Sequence, residues 1–129
     1  MTHLSRESTR AFDLHDVTFT SFASTASGAA DIAAWRVDVP PDTPGQPHTM
    51  SCEEVLHVLS GQLHAEIDGE SHVVPAGDAL LVPPGAVLRI GTGPEPASAW
   101  VTTLIGMTAS MSSGEQVTPP WAQDRKSVV

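Results

Sequence analysis

Four side chains able to handle protons or metals fall at alternate positions in one short stretch: His48, Met50, Cys52 and Glu54. In a continuous strand they would share a face. Imidazole, thioether and thiol together would then offer soft donors suited to copper(I). A lone cysteine more often serves as a small apolar filler, so the same stretch also reads as a wall carrying two polar groups. His48 is either a hydrogen-bonding group lining a cavity or a histidine satisfied locally. A carboxyl at Glu54, turned inward, would be desolvated; that raises its pKa and equips it for general acid or base work. Its alternative is a carboxylate satisfied by His48 or by water, since a buried charge needs a partner. Glu53 alternates outward, as do His57 and His64, while His3, His15 and His72 read as solvated. Arg36 and Arg89 are strand-borne cations on outer faces. Gly91-Thr92-Gly93-Pro94 is stopped by its proline, and no Gly-x-Ser-x-Gly elbow occurs. Nucleotide hydrolysis and serine-hydrolase chemistry therefore lack their motifs.

The elements that must position these groups are short. The chain has 129 residues, one domain's worth of material, with eleven prolines and ten glycines scattered through it. Breakers at that density leave no room for long helices, whereas short strands and tight turns fit easily. Alternating or apolar runs at 17–22, 31–39, 53–59, 62–67, 72–74, 79–82, 86–90 and 98–105 read as about eight strands. Trp35, Val37 and Val39 share one face of the second run, and Leu63, Ala65 and Ile67 face inward from the fourth. Trp35 and Trp100 belong to the core or to an interface. Residues 40–47 hold four prolines and a glycine, a rigid loop leading to His48. Asp68-Gly69 is the strongest hairpin signal. Residues 1–13 read as an N-terminal arm with at most one helical turn, and 110–129 as a polar tail that Trp121 could dock. All-β architecture, as a sandwich or barrel in a single domain spanning 1–129, is the expectation.

Charge and cysteine usage narrow the function classes. Six Lys+Arg against fifteen Asp+Glu leave a net charge of −9, which disfavours phosphate backbones and anionic lipid surfaces as partners. The single cysteine excludes a disulfide within the chain and a multi-cysteine zinc site. No apolar run approaches the roughly 20 residues of a membrane span. The polar start at residues 1–7 lacks a signal-peptide core, so a cytoplasmic location is expected.

Two further patterns run through residues 45–92. The first reads Gly45, His48-Thr49-Met50, Ser51-Cys52-Glu53, Glu54 and then Gly61; the second reads Gly77, Pro83-Pro84-Gly85, Leu88 and Thr92. Together, with the Asp68-Gly69 hairpin between them, they resemble the two motifs of the cupin family. The resemblance implies a jelly-roll β-barrel (a double-stranded β-helix). A typical cupin holds a divalent metal with three histidines and a glutamate inside the barrel. Those positions correspond here to His48, Met50, Glu54 and Leu88, and Thr92 stands where asparagine is usual. Only His48 and Glu54 suit a hard or borderline divalent ion, because a thioether is soft and leucine has no donor. The family's bend between the two halves of the first motif would also interrupt the alternation through Cys52.

The resemblance thus implies a pocket with Met50, Leu88 and Cys52 as wall and His48 and Glu54 as its polar, catalytic pair. A small-molecule-binding protein without resident cofactor or tightly bound metal is expected, with acid/base isomerase- or cyclase-like chemistry as a subset. One alternative is a metal-dependent enzyme of dioxygenase or isomerase type, holding a divalent ion weakly through His48 and Glu54. The other is a non-catalytic structural or sensor barrel. Cupins commonly pair, so a homodimer is implied as well.

Overall fold

Strands of two to eight residues account for nearly every element of the computed structural model, which describes residues 2–122. Among these residues there are twelve strands, and the helical content is confined to single 3₁₀ turns. One six-stranded sheet has the order β1 (Arg10–Leu14), β2 (Val17–Ala23), β3 (Ile32–Val39), β10 (Ala97–Leu104), β5 (Glu54–Ser60), β8 (Ala79–Val82). The other runs β12 (Gln116–Val117), β11 (Ala109–Met111), β4 (His48–Met50), β9 (Val87–Gly91), β6 (Gln62–Ile67), β7 (Glu70–Pro75). Every strand pair is antiparallel. The inward rows meet in one core: Trp35, Val37, Leu56, Val58 and Val101 from the first sheet, Met50, Leu63, Ala65 and Leu88 from the second. This is the jelly-roll barrel expected. No helix among the described residues is long and apolar enough to cross a membrane.

Local chemistry sets the turns. Asp68 and Gly69 both take positive φ, 50° and 83°, and Ile67 pairs directly with Glu70, so a two-residue turn closes the hairpin. The Asp68 carboxylate accepts the Val87 N–H at 2.9 Å, tying that turn to the start of β9.

Two expectations need correction. Residues 10–14 are not a free arm; they form β1, whose full register with β2 runs from Arg10↔Ser21 to Leu14↔Val17. The polar tail is structured through residue 122: β11 pairs with β4 and β12, and a 3₁₀ turn at Pro120–Ala122 buries Trp121. Trp121 does dock the tail, stacked on Phe19 at 3.9 Å and edge-on to Trp35 at 6.4 Å. The rest of that tail, 123–129, lies outside the described residues. The apolar run 79–82 is a strand as expected, with Leu80 and Val82 buried and Leu81 exposed.

Candidate functional site

The Pro-rich loop delivers His48, and Thr92 holds that loop in place. The Thr92 hydroxyl donates to the Pro40 carbonyl at 2.6 Å and accepts the Thr43 N–H at 3.1 Å. Gly45 has φ of +75°, and a Cβ there would strike the Ile90 carbonyl oxygen, so the loop can lie against β9 only with glycine. β4 then pairs with β9, setting His48 opposite Leu88, and with β11, setting Met50 opposite Ala109.

After Met50 the chain leaves one sheet for the other. The corner Ser51-Cys52-Glu53 is clamped from three sides. Ser51 exchanges hydrogen bonds with the Thr108 backbone, its N–H donating to the carbonyl at 2.9 Å and its Oγ accepting the N–H at 2.8 Å. Gly85 N–H donates to Met50 O at 2.9 Å, and the Thr103 hydroxyl donates to Glu53 O at 2.7 Å. The corner breaks the strand alternation, as the family bend implied. Met50 and Glu54 both point inward but from opposite sheets, while Glu53 is exposed.

His48, Met50, Glu54 and Leu88 line a common cavity of about 250 Å³. Its deeper wall is apolar, formed by Trp35, Leu56, Leu88, Val101 and Met107, all buried. The polar members of the lining are Glu54, His48, Thr43, Gln46 and His15. Glu54 is only 4% exposed, and its Oε2 has no hydrogen-bond partner. That atom is not satisfied by His48. Burial pushes the Glu54 carboxyl up to about 8, because the apolar wall penalises the charged form. At neutral pH the group is therefore mostly the neutral acid, a donor facing the cavity. His48 is half-buried, and its Nδ1 lies 2.9 Å from the Gln46 carbonyl oxygen. A carbonyl only accepts, so in the neutral ring Nδ1 carries the proton and Nε2 keeps a free lone pair.

Cys52 is a correction: it does not line the cavity but packs half-buried against the core from the corner, 3.7 Å from the Ser51 hydroxyl. The soft His/Met/Cys set is therefore not assembled. The donors also do not fit the four-ligand cage the family implies, since Leu88 offers none and Met50 offers only a thioether. Among the described residues no group of three or more His, Cys, Asp or Glu is placed to hold a metal ion. His57 and His64 are exposed, as alternation required.

Some lining residues escaped the sequence. His15, expected to be solvated, is exposed but sits at the mouth of the cavity beside Leu14. Met111 and Val117 come from the short strands of the tail, and Trp121 from its last described turn. The proline pair before Trp121 was the only signal among these.

The cupin domain family model matches residues 35–103. The chain belongs to the cupin family. No curated protein matches it. Among solved structures this cupin is similar to the polyketide cyclase RemF from Streptomyces resistomycificus, with 22% identity, TM-score 0.72, and coverage of 81% of this chain and 79% of that one. An RmlC-like cupin from Shewanella frigidimarina shares 22% identity over 81% of this chain and 91% of its own, with TM-score 0.68. The Streptomyces nucleoside dehydratase Pac13 shares 18% identity over 81% of this chain and 82% of its own, also with TM-score 0.68. At these identities the likeness establishes the shared fold.

Proposed function

We propose that this cupin binds a compact, mostly apolar small molecule inside the barrel and moves protons on it with Glu54 and His48, without a tightly held metal. The observation that carries this is the unpartnered, buried Glu54 carboxyl on the wall of an otherwise apolar cavity. A polar atom left unsatisfied in such surroundings is costly, and a ligand acceptor would satisfy it. The cavity is slightly under the ~300–1,000 Å³ usual for drug-sized ligands, which suits one or two rings.

The two groups have complementary roles. Protonated Glu54 donates to a ligand carbonyl oxygen, and the free Nε2 of His48 accepts a proton from the adjacent carbon. In an isomerisation the carbon–hydrogen bond breaks as the oxygen gains the Glu54 proton; the His48 imidazolium then delivers its proton to a different carbon, and the enol O–H returns its proton to Glu54. In a cyclisation the enol carbon instead attacks a second carbonyl while the enol proton returns to Glu54, and the new alkoxide takes the proton held by His48. Neither sequence needs an oxidant. The names of two structural neighbours, a polyketide cyclase and a nucleoside dehydratase, support chemistry of this class on this fold.

A screen of small cyclic ketones and enones by thermal shift tests the proposal. Stabilisers are expected, and Glu54→Gln or His48→Ala should weaken their effect at least tenfold in concentration; a wild-type chain that no member stabilises overturns it. Elemental analysis after loading with iron, zinc, manganese and copper should find little metal, whereas the Met50→His/Leu88→His double variant should take up zinc. A full equivalent in the wild type would instead favour the metal-dependent alternative.

A second copy of the chain is proposed as partner. On the outer face of the first sheet, Val55 pairs with Leu81 and Thr102, and Leu104 with Ile32, which sets four exposed aliphatic side chains close together. Leu81→Lys should shift the chain from dimer to monomer in light scattering.

A further inference from the structure

Among the described residues two hairpins have two-residue turns, and only one carries a glycine. Asp68-Gly69 places aspartate at φ 50° and glycine at φ 83°, whereas the β1–β2 turn places His15 at φ 52° and Asp16 at φ 67°. Such backbone suits glycine best and asparagine, aspartate and histidine next, and the β1–β2 turn has no glycine at either position. That turn is also the part of β1–β2 that reaches the cavity: Leu14 and His15 both line its mouth, and Leu14 is 43% exposed there. The exposed His15 and the buried Glu54 thus line the same cavity. Between them lie flat walls from Phe19, Trp35 and Trp121.

We infer that His15 is a ligand-contacting specificity residue. It selects a flat, ring-bearing molecule with a carbonyl at the Glu54 end and a second hydrogen-bonding group, hydroxyl or carboxylate, at the mouth. This rests on the ligand reading proposed above and adds the second end of the molecule. Aromatic walls favour a planar body, which loses little freedom on binding. Imidazole, as donor or acceptor, matches either mouth-end group. Glycine or aspartate would suit position 15 at least as well, so the turn by itself does not call for histidine.

A pair of probes isolates the effect: 2-acetonaphthone carries only the carbonyl, and 6-hydroxy-2-acetonaphthone adds a hydroxyl at the far end. In equilibrium dialysis the wild-type chain should prefer the hydroxyketone by about tenfold, the worth of one hydrogen bond. His15→Gly should weaken the hydroxyketone about tenfold more than the parent ketone, abolishing that preference, without lowering Tm. Glu54→Leu should weaken both ketones alike and keep the preference. A preference that survives His15→Gly overturns the inference. So does equal weakening of both probes with a lowered Tm, which would make His15 a purely structural residue. If Glu54→Leu changes neither affinity while His15→Gly behaves as expected, the role of Glu54 fails and that of His15 stands. Failure of the wild type to bind either ketone at millimolar concentration overturns both.

Discussion

The two halves of the barrel bury similar side chains to different ends. Where β5 and β8 meet β6 and β7, Val58, Leu63, Ala65, Val74, Leu80 and Val82 are buried and the interior is filled. Where β2 and β3 meet β4 and β11, Trp35, Val37, Met50 and Ala109 are buried too, yet they surround about 250 Å³ of space. Inward alternation operates in both, so it does not decide whether a barrel is packed or hollow. The rings do. Phe19 stacks on Trp121, Trp35 meets Trp121 edge-on, and all three line the space without filling it. The only buried acid among the described residues, Glu54, lines that space from the first residue of β5.

The sharpest test of this contrast is a truncation in the filled half. Leu63→Ala should lower unfolding free energy in urea by ~2–5 kcal/mol, because a fully enclosed side chain leaves a void that cannot collapse.

Next in size is the pH dependence of the hollow half. Glu54 binds its proton more tightly folded than unfolded, with the carboxyl raised from 4.5 to about 8. Between these values the native state holds more protons than the unfolded chain, so stability falls as pH rises. The contribution is full below about 4.5 and lost through about 8. Denaturant titrations across that range should show a loss of a few kcal/mol, flattened in Glu54→Gln.

Overfilling separates the halves in the opposite direction. Val58→Phe should destabilise by ~1–3 kcal/mol, whereas Leu88→Phe, which can expand into the cavity, should change stability by less than ~1.5 kcal/mol and abolish ligand binding. Equal penalties would mean that the cavity is not available space.

The smallest effect belongs to a turn. Gly69→Ala meets no atom within 4 Å, so its whole cost is positive φ, ~1 kcal/mol. Thermal unfolding of this variant gives the scale against which His15→Gly can be judged.

Much of the fold was legible because its signals are local. Asp68-Gly69 fixes a two-residue turn, and the turn fixes the register that sends Leu63 and Ala65 inward. The ligand-position pattern likewise placed His48, Met50, Glu54 and Leu88 on one cavity. β1 escaped notice because Arg10–Leu14 has no clean apolar alternation and its turn carries no glycine. β11 and β12, three and two residues long, are too short for a periodic signal; they exist because β4 offers an edge to pair with. Cys52 was misplaced because alternation presumes one continuous strand, and the corner at 51–53 changes sheets.

By itself the sequence determined the strand rhythm, the turns, the inward rows and the identity of the side chains at the four family positions, since each depends on neighbours within a few residues. Only the tertiary structure decided that these rows enclose a void, that the Glu54 carboxyl lines it with Oε2 unpartnered, and that His15 lines it too. Those outcomes depend on how far apart two sheets stand and on what segments distant in sequence bring between them. No local pattern encodes such distances.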